Sequence, residues 1–300
     1  MQLSHFILTL SVILIWGFNF IIIKAGLEEI SPTLLAFTRF FLTSIPAIFF
    51  IKKPDIPFKM ILGYGLGTFA LPFGLLFLAM DIGITPGLAS LLLQLQVFFT
   101  LFLSLIFLGE KLHRWQIVGA LVSFTGIALA AMNLQGNVTL TGFILILFGA
   151  ASWGFGNIIA KKIGKVNQVS LVTWGSLAVW PPFLILSFLL EGKEQVLDTF
   201  SSLSGSTYGA ILFIAYPATL FGFAVWSWLL QRYPMGTIAP FMLLIPIIGM
   251  LSSIFFYGEP FPLWKIFAGL LVVTGLFINV LGPKIFKKTK KPSINSITQN

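Results

Sequence analysis

Uncharged apolar runs alternate along the chain with short polar breaks, and each run has the roughly 20 residues that carry an α-helix across about 30 Å of hydrocarbon. The pattern predicts ten membrane-spanning helices, over roughly 5–25, 32–51, 60–80, 86–108, 115–132, 142–161, 168–190, 208–231, 235–256 and 263–282. The stretch NLQGN at 133–137 interrupts an apolar run, 115–160, that is far too long for one crossing, and its Gly136 suits a turn. The first run, 6–23, has no basic stretch before it and no small-residue cleavage site after it. It reads as a permanent span rather than a signal peptide.

The apolar pattern also repeats. WGFNFIIIK at 16–24 returns as WGFGNIIAK at 153–161, and FLGEKLHRWQIVGALVSFTG from Phe107 returns as FYGEPFPLWKIFAGLLVVTG from Phe256. The second match aligns Glu110 with Glu259, Trp115 with Trp264 and Gly126 with Gly275 at an offset of 149 positions. Self-similarity of this kind fixes architecture before any residue chemistry is considered. It divides the chain into a first half, 1–135, a second half, 138–283, and a basic polar tail, 284–300. Each half holds five spans, an odd number, so the second copy enters the membrane from the opposite face. The predicted fold is an all-α membrane protein of ten transmembrane helices arranged as two inverted five-helix repeats. Secondary transporters commonly use that construction, because two such halves can rock to expose one central site to either side.

Charge orients the spans. One face collects Lys52, Lys53, Lys59, Lys111, Arg114, Lys161, Lys162, Lys165, Arg232, Lys284, Lys287, Lys288, Lys290 and Lys291. The opposite face holds only Lys193 and Lys265, together with Glu28, Glu29, Asp81, Glu191, Glu194, Asp198 and Glu259. By the positive-inside rule the basic face, with both termini, is cytoplasmic. That sorting accounts for the net charge of +9, so no nucleic-acid partner is assigned. With 57% hydrophobic and 9% charged residues, the solvent for most of the surface is the lipid bilayer, and the tail is suited to anionic headgroups.

Candidate chemistry lies inside the spans, where polar groups are costly and default to functional hypotheses. Trp16 and Trp153 fall near mid-span, away from the interfacial belts, and each precedes a glycine and an amide, Asn19 or Asn157. They either pack helices or line a cavity; Lys161 reads as a snorkelling anchor. Arg39 lies about eight residues, some two turns, into the second span. It either meets a substrate carboxylate or bonds helix-end carbonyls or Glu28 near the outer surface. Gln94 and Gln96 lie about 200° apart on an ideal helix, so only one is expected to line the cavity. Pro72 interrupts the third span, Tyr216-Pro217 the eighth, and Pro240 and Pro246 the ninth. Such breaks are tolerated only against protein or water and mark cavity-facing spans. Trp226 and Trp228 near the end of the eighth span are interface anchors or cavity walls. Glu110 and Glu259 each follow a glycine at a span end and read as solvated terminators, with a proton-coupling role as the alternative.

Enzymatic and cofactor signatures are missing: no cysteine, two histidines without metal spacing (His5 and His113), no paired intramembrane carboxylates and no phosphate loop. No cofactor or metal is predicted. The stretches WGFNFIIIKAGL, GLASLLLQLQ, FLGEKL and RYPMGTIAPFMLLIPIIG, across about 5–282, resemble the EamA branch of the drug/metabolite transporter superfamily. Within it the chain is most similar to bacterial exporters of O-acetylserine and cysteine. The resemblance implies a multi-pass inner-membrane efflux carrier, monomeric or homodimeric, with a pocket built by spans one, three, four, six, eight and nine, and spans five and ten as scaffold. The expected substrate is a small polar metabolite, an amino acid of the cysteine or O-acetylserine kind. The alternative is a multidrug or nucleotide-derived, bulky-anion carrier of the same fold. The expected binding set is Trp16, Asn19, Arg39, Gln94, Trp153, Asn157, Tyr216 and Trp226.

Overall fold

The computed structural model describes residues 1–133, 139–233 and 235–285. Among them are ten helices long and apolar enough to cross a membrane: Leu3–Gly26, Pro32–Phe49, Phe58–Asp81, Pro86–Leu108, Arg114–Met132, Leu140–Ile163, Gln168–Glu191, Gly205–Leu229, Pro240–Tyr257 and Leu263–Pro283. We number them spans 1 to 10. Most of the NLQGN break and most of the 284–300 tail lie outside the described residues, and the last helix itself continues through Pro283 to Ile285. An additional short helix, Lys193–Ser202, follows span 7; the apolar pattern missed it because it buries a single residue, Val196.

Helix ends are set by local chemistry. Ser31, Thr139, Asn167 and Ser204 cap spans 2, 6, 7 and 8, accepting from Leu34, Gly142, Ser170 and Thr207 backbone N–H groups at 3.2, 3.0, 3.1 and 3.3 Å. Each satisfies a donor that the first helical turn leaves free. Spans 4 and 9 both end on a left-handed glycine, Gly109 (φ 64°) and Gly258 (φ 60°), where any side chain is strained.

Interruptions recur in matched pairs, in spans 3 and 8 and in spans 4 and 9, and span 2 also breaks between Ser44 and Ala47. Spans 3 and 8 contain π turns at Leu66–Ala70 and Tyr216–Phe221, beside or containing Pro72 and Pro217. Proline lacks the N–H that the α pattern needs and crowds the preceding turn, and a local widening relieves that conflict. Spans 4 and 9 contain 3-10 turns at Leu93–Leu95 and Ala239–Leu243. Pro240 explains the second of these. Span 7 carries Pro181 and Pro182 inside a helix that continues to Glu191.

The most extensive contacts join one half to the other. Span 1 packs on spans 8 and 9, and span 6 packs in the same way on spans 3 and 4. Span 2 meets span 7, span 4 meets span 9, and span 5 meets span 10. Exchanging each span for the one five places along leaves this pattern unchanged, as a pseudo-twofold relation between inverted halves requires. The seam between spans 5 and 10 is made of small residues: Ser123 Oγ donates to the Val272 carbonyl at 3.1 Å. A Cβ at Gly126 would lie 2.8 Å from the Ala268 carbonyl oxygen. Backbones approach that closely only where side chains are absent.

Candidate functional site

The two π turns are where the halves interlock. A Cβ at Gly67, in the turn of span 3, would lie 2.8 Å from Gly156 Cα of span 6, and one at Gly222, just past the turn of span 8, would lie 2.5 Å from Trp16 Nε1 of span 1. The first span of each half therefore seats against the broken span of the other. Widening the helix also frees a carbonyl: Trp16 Nε1 donates to the Ala218 oxygen at 2.9 Å. The Trp16 ring packs on Phe223 and Trp226 with centroids 5.5 and 5.7 Å apart. Trp226 is buried, so it is a wall of this cluster and not an interfacial anchor.

Arg39 binds the neighbouring residue of the same turn, with Nε donating to Thr219 Oγ1 at 3.0 Å. Among the described residues neither a helix-end carbonyl nor Glu28 partners it. Its guanidinium lies 3.8 Å from the Phe73 ring centroid, it is only 1% exposed, and Nη1 has no hydrogen-bond partner. Phe73 packs in turn on Trp153 at 5.5 Å. On the other side Phe40 lies 5.6 Å from Phe69, and Phe69 lies 5.6 Å from Phe223. A continuous set of rings thus links Trp16 to Trp153, the two repeat-related tryptophans, around one buried cation.

The amides lie on spans 1, 4 and 6. Asn19, one turn beyond Trp16, is 5% exposed, and its Oδ1 has no partner. Asn157 Nδ2 donates to Gln96 Oε1 at 2.8 Å and to Thr100 Oγ1 at 3.0 Å. Gln94 Nε2 donates to the Met242 carbonyl at 3.3 Å, in the 3-10 turn of span 9. The two glutamines diverge, as their separation of about 200° requires, but neither faces lipid. Both are 8% exposed, since span 4 has protein on two sides and Gln94 turns to span 9 while Gln96 turns to span 6. Tyr216 opens the π turn of span 8 and is half-buried. A 460 Å³ apolar groove lined by Leu14, Phe18, Ile22, Phe213 and Phe256 lies on the outer side of span 1, away from these rings.

A model of the EamA-like transporter family matches residues 3–132 and 140–281. The chain belongs to the EamA-like transporter family. It is 38% identical to a "Probable amino-acid metabolite efflux pump" of Salmonella typhimurium, over 93% of this chain and 95% of that one. It is equally similar, at 38%, to a protein of the same description from Escherichia coli K12, over 95% and 97% of the two chains. An uncharacterized transporter of Archaeoglobus fulgidus is 27% identical over 88% of this chain and 94% of its own. A solved structure covering 96% of this chain and 100% of its own superposes with a TM-score of 0.65 at 16% identity, a likeness of fold alone. The protein is a multi-pass membrane transporter.

Two features of this EamA-family carrier escaped the sequence. Thr219 and Phe73, which hold Arg39, gave no signal, since one phenylalanine among 33 stands out by nothing but position. Glu259 is the larger correction. Expected to be a solvated terminator, it is 6% exposed. It accepts from Thr85 Oγ1, Ser253 Oγ, Gly87 N (3.1 Å) and Lys265 Nζ (2.7 Å). Its repeat counterpart Glu110 does sit near water, paired with Lys161. The Lys161 hydrogen bond holds the Glu110 carboxyl below its ordinary value.

Proposed function

We propose that the protein exports amino-acid metabolites of the cysteine or O-acetylserine type by alternating access, with the ring cluster around Arg39 as the binding site. The observation that carries this reading is the buried guanidinium with a free donor at Nη1; a second unpartnered polar atom, Asn19 Oδ1, is buried on span 1. A buried cation without a counter-ion is expensive, and a carboxylate is the ligand that relieves the cost. An amino acid brings both a carboxylate for Arg39 and an ammonium group for Asn19. The names of the 38%-identical relatives fit the same substrate class.

In this reading Trp16, Trp153 and Trp226 form apolar walls, Gln94, Asn157 and Tyr216 shape the approach, and the halves 1–135 and 138–283 rock about the pseudo-twofold axis. The basic loops support a topology with both termini in the cytoplasm of a bacterial inner membrane. Export of labelled cysteine and O-acetylserine from overproducing cells tests the site. Arg39→Gln and Asn19→Ala should each abolish most of the export, and cysteamine, which lacks the carboxylate, should not compete. Competition by cysteamine equal to that by cysteine refutes a carboxylate site. Export of bulky phosphate esters or cationic drugs in place of amino acids replaces the substrate class.

A further inference from the structure

Glu110 and Glu259 stand on the same local frame at opposite faces of the membrane. Each follows a left-handed glycine that ends span 4 or span 9, and each donates its backbone N–H to a serine carbonyl six residues back, Ser104 at 3.3 Å and Ser253 at 3.4 Å. Their side chains differ completely in surroundings. Glu110 is 42% exposed with Lys161 as partner, whereas the Glu259 side chain is 4% exposed and paired with an equally enclosed Lys265.

The Glu259 carboxylate also crosses between the halves. It takes the Thr85 hydroxyl and the Gly87 N–H, both from the start of span 4, while Ser253 and Lys265 belong to spans 9 and 10. Lys265 Nζ is fixed further by the Pro260 carbonyl at 3.0 Å. Directly beneath lies the seam of spans 4 and 9, where Ser90 is completely buried and its Oγ reaches the Pro246 carbonyl at 3.4 Å. A Cβ at Gly249 would lie 2.5 Å from Ser90 Cβ, so the two helices are in backbone contact below the carboxylate.

We propose that Glu259 is a latch that holds the acidic-face end of the carrier shut between spans 4 and 9, and that its release opens that end. Four donors on one carboxylate, two from each half, make a closed arrangement that must break as a unit if the halves move apart. Among the described residues Glu110, on the matching turn at the basic face, has one partner from the other half, Lys161, and lies far more open to solvent. The two ends thus differ, one carboxylate enclosed by four donors and the other held by an exposed ion pair, an asymmetry of the kind that alternating access between inverted halves uses. The proposal goes beyond the substrate reading and needs no substrate to be tested.

The chain contains no cysteine, so single reporters need no background removal. Ser90→Cys reports opening of the latched seam; Ser123→Cys, equally buried between spans 5 and 10, reports general loosening. Labelling of the purified full-length protein by a bulky hydrophilic maleimide is compared with and without Glu259→Gln. The expected result is a rise of about tenfold or more at Ser90→Cys, the effect of losing a charge-assisted hydrogen bond, with Ser123→Cys unchanged. The double variant Glu259→Gln/Lys265→Gln, which leaves no orphaned charge, should give the same selective rise. Unchanged labelling at Ser90→Cys in both backgrounds overturns the latch. So does an equal rise at both reporters, which is the signature of a merely structural ion pair.

Discussion

Asn157 of span 6 donates its side-chain amide to the Gln96 oxygen of span 4 at 2.8 Å, tying the first helix of the second half to the first half. In hydrocarbon such a bond contributes about 0.6 kcal/mol on average and up to about 1.7. A double-mutant cycle of Gln96→Leu and Asn157→Leu, read by thermal unfolding in detergent, should show a coupling within that range. Additive effects would mean that the pair does not persist.

Thr219 supplies the one hydrogen bond that Arg39 Nε makes, at 3.0 Å. Thr219→Val keeps the shape and removes the acceptor, leaving a second buried donor unpaired at a cost of about 1–3 kcal/mol. Thr219→Ser, which retains the hydroxyl, should restore most of the stability and the export. Equal behaviour of the two variants would deny Thr219 its role in placing the guanidinium.

At the seam of spans 5 and 10, Gly126→Leu drives a side chain into the Ala268 carbonyl and Leu271. Overpacking of this kind typically costs about 1–3 kcal/mol, so a marked fall in the unfolding midpoint is expected. Gly209→Ala, at a position with open space around it, serves as the control and should change little. A tolerated Gly126→Leu would argue against close backbone packing in this scaffold.

The Glu110–Lys161 pair has a definite pH signature. Its folded carboxyl sits below the ordinary value of 4.5, so the pair stabilises above that value and the contribution disappears as pH falls through the lowered pKa. Because both groups are well exposed the amount is small, about 0–1 kcal/mol. Lys161→Met should therefore be slightly less stable than the parent at neutral pH and indistinguishable at strongly acidic pH. A difference that grows on acidification would reverse the assignment.

The membrane path was legible in the sequence because it is written in long-range pattern. Apolar runs, basic loops and repeated tryptophan–glycine pairs place ten spans within a few residues, and Pro72 and Pro217 mark the two helices with π turns. What the pattern lacked was partners across the interface. A carboxylate after a helix-ending glycine reads the same at 110 and 259; only the approach of Thr85, Gly87 and Lys265 buries the second. The angular separation of Gln94 and Gln96 was legible from an ideal helix; that spans 6 and 9 enclose span 4, so that both amides are buried, was not. The 193–202 helix was silent for the opposite reason, being too short and polar for the apolar scan.

The inverted architecture is the claim on which the carrier mechanism rests, and two exposed positions in the connections between spans test it most directly. Asp55 lies in the loop between the second and third spans of the first half, and Asp198 in the corresponding connection of the second half. In intact cells an impermeant maleimide should label Asp198→Cys, and Asp55→Cys should react only after permeabilisation. Labelling of both from the same face would place the halves parallel, contradicting the pseudo-twofold relation and the rocking mechanism built on it.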